Sequence, residues 1–266
     1  MKKILIIGKR GFIGNNLSKY LGKFFNVTHQ NFKDSVKSKL KNNNFDYIIN
    51  TSINKNYIKK NYNSRFDNDY KISNLINNSK TTYIFLSSRK VYKSKANIKE
   101  NDKLLPKSNY SKNKLITEKK LYKRLNKNLL ILRISNVIGD KDKFKKIHNT
   151  FVDIFFENIK KGFVFDNKND FKDFISIDKF CEIIKNIIRK DLRGTYNVSI
   201  GRKVYLNDLL KWLNKFNKKD FIKRSKNIKD DNFFLNNKKL MSKLKIKNSI
   251  SELKNYCFKM SKKKFS

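Results

Sequence analysis

Several residue types are scarce in this chain of 266 residues, and each shortage excludes something. The two cysteines, Cys181 and Cys257, stand far apart, with no C-x-x-C motif and no clustered histidine. This pattern argues against a zinc site and against a disulfide framework. We expect no bound metal, and two ordinary buried or half-buried thiols in a reducing compartment.

Long apolar runs are also missing. Met1-Lys2-Lys3 followed by apolar residues imitates a signal peptide, but the apolar run ends after four residues at Gly8. Such a run is too short for the core of a signal peptide or for a membrane span. We therefore expect a cytoplasmic protein without membrane insertion.

Acidic residues are heavily outnumbered: 22 Asp and Glu stand against 64 Lys and Arg, a formal net charge of +42. Such a charge is typical of a nucleic-acid-binding protein. The lysines, however, are spread over nearly the whole chain, while Ala96 and Pro106 are the single alanine and proline. This joint bias resembles the codon drift of an AT-rich genome, so we predict no specific nucleic-acid partner. The positive field would still help to recruit a phosphorylated substrate.

Glycine is scarce too, yet three of the eight glycines, Gly8, Gly11 and Gly14, directly follow the apolar run Ile4–Ile7. Their spacing, G-x-x-G-x-x-G, is a relative of the dinucleotide fingerprint. Glycine permits the dihedral angles that such a turn needs, and it lets a pyrophosphate approach the amides at the positive end of the following helix. A tight turn between strand and helix without any ligand is the alternative.

Short apolar runs alternate with amphipathic stretches in the first half of the chain, which is typical of βαβ units and a parallel sheet. We predict strands at Lys3–Ile7, Asn26–Gln30, Tyr47–Asn50, Tyr83–Ser87 and Leu129–Ile134, and helices near Asn15–Phe24, Lys33–Lys41, Asp67–Asn78 and Ser111–Arg124. Later segments predict helices at Thr150–Lys160, Lys179–Arg189 and Leu206–Phe216, with strands at Phe163–Phe165 and Thr195–Val198, before a very basic stretch from Lys218.

Chemistry is suggested by Tyr110 and Lys114, which stand four residues apart in a predicted helix and so share one helical face. A neighbouring cation favours the phenolate and brings a tyrosine toward the working range of an acid/base catalyst. Ser88 follows a buried strand, at the edge where ligands of parallel sheets bind. A surface Tyr–Lys pair and an ordinary turn serine are the structural alternatives.

Together these features resemble the short-chain dehydrogenase/reductase superfamily, in its extended nucleotide-sugar epimerase/dehydratase branch. Eight segments carry the resemblance in order: the glycine turn Gly8–Gly14, Asp46–Asn50, Phe85–Tyr92, Glu100–Asp102, Pro106–Lys114 with Glu118, Leu132–Gly139, Phe171–Ile175 and Gly194–Val198. The resemblance implies a Rossmann-type doubly wound parallel α/β sheet in an NAD(P)-binding domain over residues 1–165, with residues 171–200 contributing late strands. Residues 166–266 would mainly form a smaller substrate-binding domain.

The resemblance also implies roles for individual residues. Ser88 would bond the reacting oxygen, Tyr110 would exchange its proton, and Lys114 would tune Tyr110 and hold the nicotinamide ribose. The residues expected to contact the cofactor are Gly8, Arg10, Gly11, Phe12, Ile13, Gly14, Asn31, Asn50, Tyr110 and Lys114. The residues expected to contact a nucleotide-sugar substrate are Ser88, Asn136 and Lys172. For Asn50, Asn136 and Lys172, fold-supporting hydrogen bonds are an alternative role.

Departures from the family pattern argue against one reaction of the family and favour one form of the cofactor. The dehydratases carry Asp-Glu where this chain has Arg89 and Lys90, which argues against 4,6-dehydration. Gln30 and Asn31 stand where an acidic residue would bind the ribose 2′-hydroxyl of NAD, and Arg10 could meet a 2′-phosphate, so NADP(H) is favoured over NAD(H). A surface arginine without a ligand is the alternative for Arg10.

We therefore predict an NAD(P)-dependent reductase of 4-keto nucleotide sugars in the biosynthesis of deoxysugars for surface polysaccharide. A nucleotide-sugar 4-epimerase with tightly bound NAD, and a non-catalytic dinucleotide-sensing protein, are the alternatives. The sequence leaves the oligomeric state open, with a homodimer as the candidate assembly.

Overall fold

The computed structural model describes residues 1–33, 40, 44–78, 80–140, 151–166, 169–218, 222–225 and 231–265. In this part of the chain the strands are β1 (Lys3–Ile7), β2 (Asn26–Gln30), β3 (Tyr47–Asn50), β4 (Thr82–Ser88), β5 (Leu129–Ile134), β6 (Asn136–Ile138), β7 (Phe163–Asp166), β8 (Phe171–Lys172), β9 (Phe174–Ser176), β10 (Gly194–Val198), β11 (Val204–Tyr205) and β12 (Ile222–Ser225). The helices are α1 (Phe12–Leu21), α2 (Lys55–Lys59), α3 (Asn68–Ser73), α4 (Asn109–Leu125), α5 (Phe151–Lys160), α6 (Ile177–Arg189), α7 (Leu206–Leu213), α8 (Lys238–Leu244) and α9 (Ile250–Phe265).

A six-stranded sheet forms the centre of the fold, in the order β2-β1-β3-β4-β5-β10. All of its strand pairs are parallel. Ile7 at the end of β1 lies between Gln30 of β2 and Asn50 of β3, so three strands end level with one another. The strand order reverses between β1 and β3, and ligands of doubly wound sheets bind beyond the carboxyl ends of the strands at such a point.

Both faces of this sheet are covered, which explains why β1 is a continuous apolar run. Ile4 and Ile6 belong to a core cluster that includes residues of α1 and α6. Leu5 and Ile7 point to the opposite face and join a second cluster with Leu121 of α4. Successive side chains of a strand point to opposite faces of the sheet, so two of these four residues pack in each of the two layers.

Helix α6 shows how a charged sequence builds this core. Ile183, Ile184, Ile187 and Ile188 are buried along one face of the helix, and Ser176 caps its start by accepting a hydrogen bond from the Lys179 amide. Apolar residues at such spacing form one stripe, and the charged residues of the helix lie outside it, half-buried or exposed. The buried face of the helix is therefore apolar despite the basic composition of the chain.

Both cysteines are buried free thiols, as the sequence predicted. Burial raises the pKa of Cys181 to about 12, and burial also raises the pKa of Cys257 to about 12. Thiols held in the protonated form are poor nucleophiles, so neither supplies reactive chemistry at neutral pH.

Three short strand pairs, β6–β9, β7–β12 and β8–β11, lie outside the main sheet in the described chain. A third apolar cluster accompanies them and joins residues of α5, α7 and α9. A substrate-binding role for residues 166–266, and the boundary at residue 165, stay predictions.

The predicted strands of the main sheet agree with the structure, and the differences lie mostly in helices. Helix α1 begins at Phe12, three residues before the predicted start, because Gly11 already occupies the N-cap. Helix α3 ends at Ser73 rather than continuing to Asn78. Helix α7 ends at Leu213, short of Phe216. The basic stretch from Lys218 contains α8 and α9, which were not predicted.

Two other predictions need separate comment. The strand predicted by resemblance over Phe171–Ile175 is divided between β8 and β9, because Asp173 turns its carboxylate inward at the break. The helix predicted over Lys33–Lys41 lies almost wholly outside the described residues, as does Thr150 at the predicted start of α5.

Candidate functional site

The glycine turn follows β1 and packs tightly against the residue that follows β3. Gly8 has a φ of +120°, and a Cβ at that position would lie 2.2 Å from Thr51 Oγ1. A Cβ on Gly14 would lie 2.5 Å from the same oxygen and 2.6 Å from the Gly8 carbonyl oxygen. Thr51 Oγ1 is itself fixed, because it donates a hydrogen bond of 2.8 Å to the Ile7 carbonyl. Gly8 and Gly14 are therefore required by backbone conformation and close packing.

Gly11 has a different position at the end of the turn. It is the N-cap of α1 and offers no side chain to bond the first amides of the helix, and no acidic residue stands in the first turn. Lys9 and Arg10 are exposed in the same turn. A helix start with uncapped amides and a positive dipole end binds anions. The turn therefore fits the pyrophosphate that the sequence predicted.

The end of β2 lies directly beside this turn. The Gln30 carbonyl accepts hydrogen bonds from the amides of Gly8 at 2.8 Å and Lys9 at 3.3 Å. The polar atoms of the Gln30 side chain are buried and have no hydrogen-bond partner in the described part of the chain. Asn31, the next residue, is half-buried. A buried amide without a partner is costly, and a polar ligand at the end of β2 would satisfy it.

Phe12, Ile13 and Asn50 were also predicted to contact the cofactor. Phe12 and Ile13 are partly buried and pack against the core cluster beneath α1. Asn50 is buried, and its amide donates to the Ser52 carbonyl and to Asp69 while its oxygen accepts from the amide and hydroxyl of Ser52. All four hydrogen-bonding positions of this side chain are thus used within the protein. A cofactor contact through the Asn50 amide stays a prediction.

Ser88, Tyr110 and Lys114 lie at the carboxyl end of β4. Ser88 ends that strand, and its hydroxyl accepts a hydrogen bond of 3.2 Å from the Lys90 amide. Lys114 Nζ donates to the carbonyl of Leu86, two residues before Ser88, at 2.9 Å. This contact holds the face of α4 that carries Tyr110 and Lys114 against the end of β4. Tyr110 is half-buried there, one helical turn before Lys114.

Helix α4 is held in place by contacts near Tyr110 and Lys114. Ser108 and Ser111 form a capping box at its start, which satisfies amides that the helix leaves unpaired. Asn113 donates to the carbonyls of Tyr57 at 2.8 Å and Lys60 at 2.9 Å, and so ties the helix to α2. The motif from Pro106 to Lys114 thus contains its own supports as well as the two side chains that are predicted to react.

Arg89 and Lys90 lie in the 3₁₀ turn that follows Ser88. The buried Arg89 guanidinium donates to both carboxylate oxygens of Asp231, at 2.9 and 2.5 Å, and stacks 3.8 Å from the centre of the Phe233 ring. Lys172 Nζ lies 3.2 Å from the same carboxylate. Burial opposes ionisation of Asp231, but its bonds to Arg89 hold the pKa of that carboxyl well below its usual range. The sequence alone gave no sign of Asp231.

Lys90 is the exposed member of this cationic group. The surrounding protein and the Arg89 charge lower the pKa of Lys90. In the part of the chain that the structure describes, the Lys90 ammonium makes no hydrogen bond or ion pair. An anion bound at this place would therefore relieve repulsion among the cations.

Asn136 has a position close to the backbone of Asp173. Its amide donates to the Asp173 carbonyl at 3.1 Å. This bond belongs to the junction of β6 and β9, where Asn136 pairs with Phe174. Asn136 therefore has a structural partner, and its contact with a substrate stays a prediction.

Residues from five of the sequence motifs meet in one buried network. Arg133 donates to Glu118 at 2.7 and 3.1 Å and to the Tyr92 hydroxyl at 2.8 Å. The Tyr92 hydroxyl donates to the Asn197 side-chain oxygen, and the Asn197 backbone N–H donates to the Glu100 carboxylate at 3.0 Å. These motif residues join β5, β10 and α4 to the loop after β4. Their physical role is to hold the strand ends that carry the site.

Asp173 is a second buried acidic residue, and its titration makes the stability of the fold depend on pH. It is fully buried, and its Oδ2 accepts the Leu235 amide at 2.9 Å. Burial raises the pKa of Asp173 to about 7, although backbone hydrogen bonds oppose the rise. The ordinary pKa of an aspartate in an unfolded chain is about 4. Because the pKa is higher in the folded state, Asp173 makes its full contribution to the free energy of unfolding below about pH 4, and this contribution is lost as the pH rises through about 7.

We expect Asp173→Asn to remove this pH dependence. The free energy of unfolding of the original protein, minus that of the variant, should fall by about 3 kcal/mol between about pH 5 and pH 8. Urea unfolding of both proteins at these two pH values measures the difference. A difference that stays constant across the range would contradict a buried, protonating carboxyl.

Metal and membrane features are not found in the described residues. No group of three His, Cys, Asp or Glu side chains there could hold a metal ion. None of the described helices is both long and apolar enough to cross a bilayer.

A model of the NAD dependent epimerase/dehydratase family matches residues 4–199. These residues include the glycine turn, β4 with Ser88, the Tyr110–Lys114 helix and β10. The chain belongs to this family. No curated protein sequence matches it.

Three solved structures share the fold along nearly the whole chain. The Bordetella bronchiseptica enzyme WbmH, in complex with NAD+, superposes with a TM-score of 0.79 at 16% identity and full coverage of both chains. A UDP-N-acetylglucosamine 4-epimerase from Methanobrevibacter ruminantium M1 has a TM-score of 0.76 at 20% identity, covering 98% of this chain and 97% of its own. A dTDP-4-dehydrorhamnose reductase from Clostridium acetobutylicum has a TM-score of 0.76 at 19% identity, covering 96% and 98%.

Proposed function

We propose that this family member is an NADP(H)-dependent reductase that converts the keto group of a nucleotide-linked 4-keto sugar into a hydroxyl. The observation that carries the proposal is the bond of 2.9 Å from Lys114 to the Leu86 carbonyl. It supports the proposal because it ties the helix that carries Tyr110 and Lys114 to the end of β4, where Ser88 lies, in the same sheet that holds the glycine turn. An oxidoreductase needs its acid and its cofactor at one edge, since the reacting atoms must meet there.

The side chains at this edge suit carbonyl reduction. A bound dinucleotide would supply the hydride. Ser88 would donate a hydrogen bond to the carbonyl oxygen and polarise it, and Tyr110 would transfer its phenolic proton to the same oxygen as the C–O double bond becomes a single bond. Lys114 would stabilise the phenolate that remains, because its ammonium lies on the same helical face.

The cofactor would be held by the glycine turn. The uncapped amides of α1 would bind the pyrophosphate, and Arg10 would meet a ribose phosphate in the solvent next to the turn. Gln30 and Asn31 would lie near the adenosine ribose, in place of the carboxylate that selects the unphosphorylated form.

The substrate would be held by the residues that follow Ser88 and by the C-terminal part of the chain. Lys90 and Lys172 would face the anionic nucleotide diphosphate, while Asp231 keeps Arg89 in place beside them. Arg89 and Lys90 stand where the dehydratases carry acidic residues, and the nearby Asp231 carboxylate is already paired with Arg89 and Lys172. This favours reduction over dehydration.

Cofactor preference gives the first prediction on this function. At equal concentrations, NADPH should raise the melting temperature more than NADH does, because Arg10 pairs with the extra phosphate. A ligand at a hundredfold excess over its Kd adds about 2.7 kcal/mol to the free energy of unfolding. Arg10→Ala should reduce the NADPH shift and leave the NADH shift unchanged. A larger shift with NADH, unchanged in Arg10→Ala, would refute the preference.

The function itself is tested with two kinds of nucleotide sugar. Purified protein is mixed with NADPH and dTDP-4-dehydrorhamnose, and the loss of NADPH absorbance is followed. The same protein is mixed with UDP-galactose or UDP-N-acetylglucosamine without added cofactor, and the products are separated by chromatography. Oxidation of NADPH only with the keto sugar supports the reductase. Interconversion of the UDP sugars would replace it by the 4-epimerase.

A further inference from the structure

A buried carboxylate on α3, Asp69, lies within the site and has no part in the chemistry described so far. Asp69 accepts hydrogen bonds from Asn50 Nδ2 at 2.9 Å and from the Tyr83 hydroxyl at 2.8 Å. Its other oxygen, Oδ2, lies 3.7 Å from Lys114 Nζ. The side chains of Asp69 and Lys114 are each 8% exposed, so the two charges face each other away from solvent.

The surroundings of Lys114 show why this neighbour matters. Besides the bond to the Leu86 carbonyl, the ammonium lies 4.5 Å from the centre of the Phe85 ring and 5.8 Å from that of Tyr57. Among the described residues, Asp69 is the one carboxylate that pairs with it. An ammonium buried against aromatic rings is costly unless a counter-charge accompanies it.

The Asp69 carboxylate is fixed from the other side. Asn50 ends β3 and Tyr83 lies in β4, so its two hydrogen-bond donors come from neighbouring strands of the main sheet. Burial raises the pKa of the Asp69 carboxyl, and the Lys114 ammonium opposes that rise. A carboxylate bonded to two strands is a rigid counter-charge, whereas a surface carboxylate could move away.

We propose that Asp69 is a positioning residue: it holds the Lys114 ammonium at the end of β4 and thereby fixes the charge that acts on Tyr110. This inference rests on the proposed roles of Tyr110 and Lys114. It also gives Asn50 a function, since the Asn50 amide orients the Asp69 carboxylate.

The chain offers a matched control two residues away. Asp67 is buried at the start of the same helix, where it caps the Tyr70 amide at 3.0 Å and accepts a hydrogen bond from Thr117 at 2.7 Å. No ion pair joins it to Lys114 in the described part of the chain. Asp67→Asn retains a good capping residue and keeps the Asp69–Lys114 ion pair, although it also removes a charge that raises the pKa of Asp69.

The first experiment uses the protein without cofactor. Lys114→Met should lower the urea midpoint strongly, because it leaves the Asp69 carboxylate buried without a cation. Adding Asp69→Asn should restore much of the midpoint, so that the double variant unfolds at higher urea than Lys114→Met alone. If Lys114→Met fails to fold, recovery of a folded double variant is the same result. If the double variant lost as much stability as the two single variants together, the pairing would be overturned.

The second experiment separates positioning from stability. With NADPH and dTDP-4-dehydrorhamnose, Asp69→Asn should lower kcat about tenfold while KM for the sugar nucleotide stays within about twofold. Asp67→Asn should retain kcat. In a Lys114→Met background, Asp69→Asn should cause no further loss, since its effect passes through Lys114. Equal kcat values for Asp69→Asn and Asp67→Asn would refute the positioning role.

The two proposals fail in different ways. If the original protein does not oxidise NADPH with this substrate, the proposed reaction fails, while the urea experiment still reports on the Asp69–Lys114 pair. If the reaction occurs and depends on Tyr110, but the Asp69 variant behaves like the Asp67 variant, the positioning proposal alone fails.

Discussion

Tyr110→Phe is expected to lower turnover of a keto nucleotide sugar by about 10²- to 10⁴-fold, the usual contribution of a general acid. The phenylalanine keeps the ring and loses only the hydroxyl that would protonate the reacting oxygen. Cofactor affinity should change little, because the glycine turn and Lys114 remain. Steady-state kinetics and NADPH titration of the two proteins measure both effects.

A second tyrosine on the same helix is the control for this prediction. Tyr122 lies on the solvent face of α4 and is 62% exposed. Tyr122→Phe should leave kcat and KM unchanged. If Tyr110→Phe kept full activity, or lost no more than Tyr122→Phe, Tyr110 would have no part in the reaction.

Glu118→Ala is expected to destabilise the protein by about 3 to 5 kcal/mol. The Glu118 carboxylate is buried, and it accepts hydrogen bonds from Arg133 at 2.7 Å and from the Ser87 hydroxyl at 2.5 Å. Removing it leaves the Arg133 guanidinium buried without a counter-charge. Urea unfolding of the two proteins measures the loss.

A partly exposed ion pair on α6 is the comparison. Glu182 lies 3.0 Å from Lys179 one helical turn away, with a side chain that is 33% exposed. Glu182→Ala should cost less than about 1 kcal/mol, because Glu182 is partly exposed and Lys179, whose side chain is 12% exposed, keeps Glu252 at 3.5 Å as a partner. If the two variants lost the same stability, the buried network of motif residues would not be the support that its geometry indicates.

Local sequence signals predicted the parts of the molecule that depend on near neighbours. The apolar run before Gly8 is enough to predict β1, since four buried aliphatic residues in a row fit a strand covered on both faces. The spacing of Tyr110 and Lys114 predicts a shared face, because both lie in one helix. These inferences need no knowledge of how distant segments pack.

The remaining features depend on tertiary contacts. Asp231 meets Arg89 across 142 positions of the chain, and no spacing rule connects them. Asp69 lies in an ordinary polar stretch, and the packing of α3 against α4 brings it to Lys114. The glycine turn is intermediate: its sequence predicts a phosphate site, while the need for Gly8 and Gly14 to clear Thr51 emerges only from the structure.

The central claim is most directly tested by following the hydride. The protein is incubated with dTDP-4-dehydrorhamnose and NADPH that carries deuterium at the transferable position of the nicotinamide ring, and the sugar nucleotide is analysed by mass spectrometry. A reductase with this site should give a reduced product that contains one deuterium, at a rate that Tyr110→Phe lowers by about 10²- to 10⁴-fold. An unchanged keto sugar, together with interconversion of UDP-galactose and UDP-glucose by the same protein, would contradict the account.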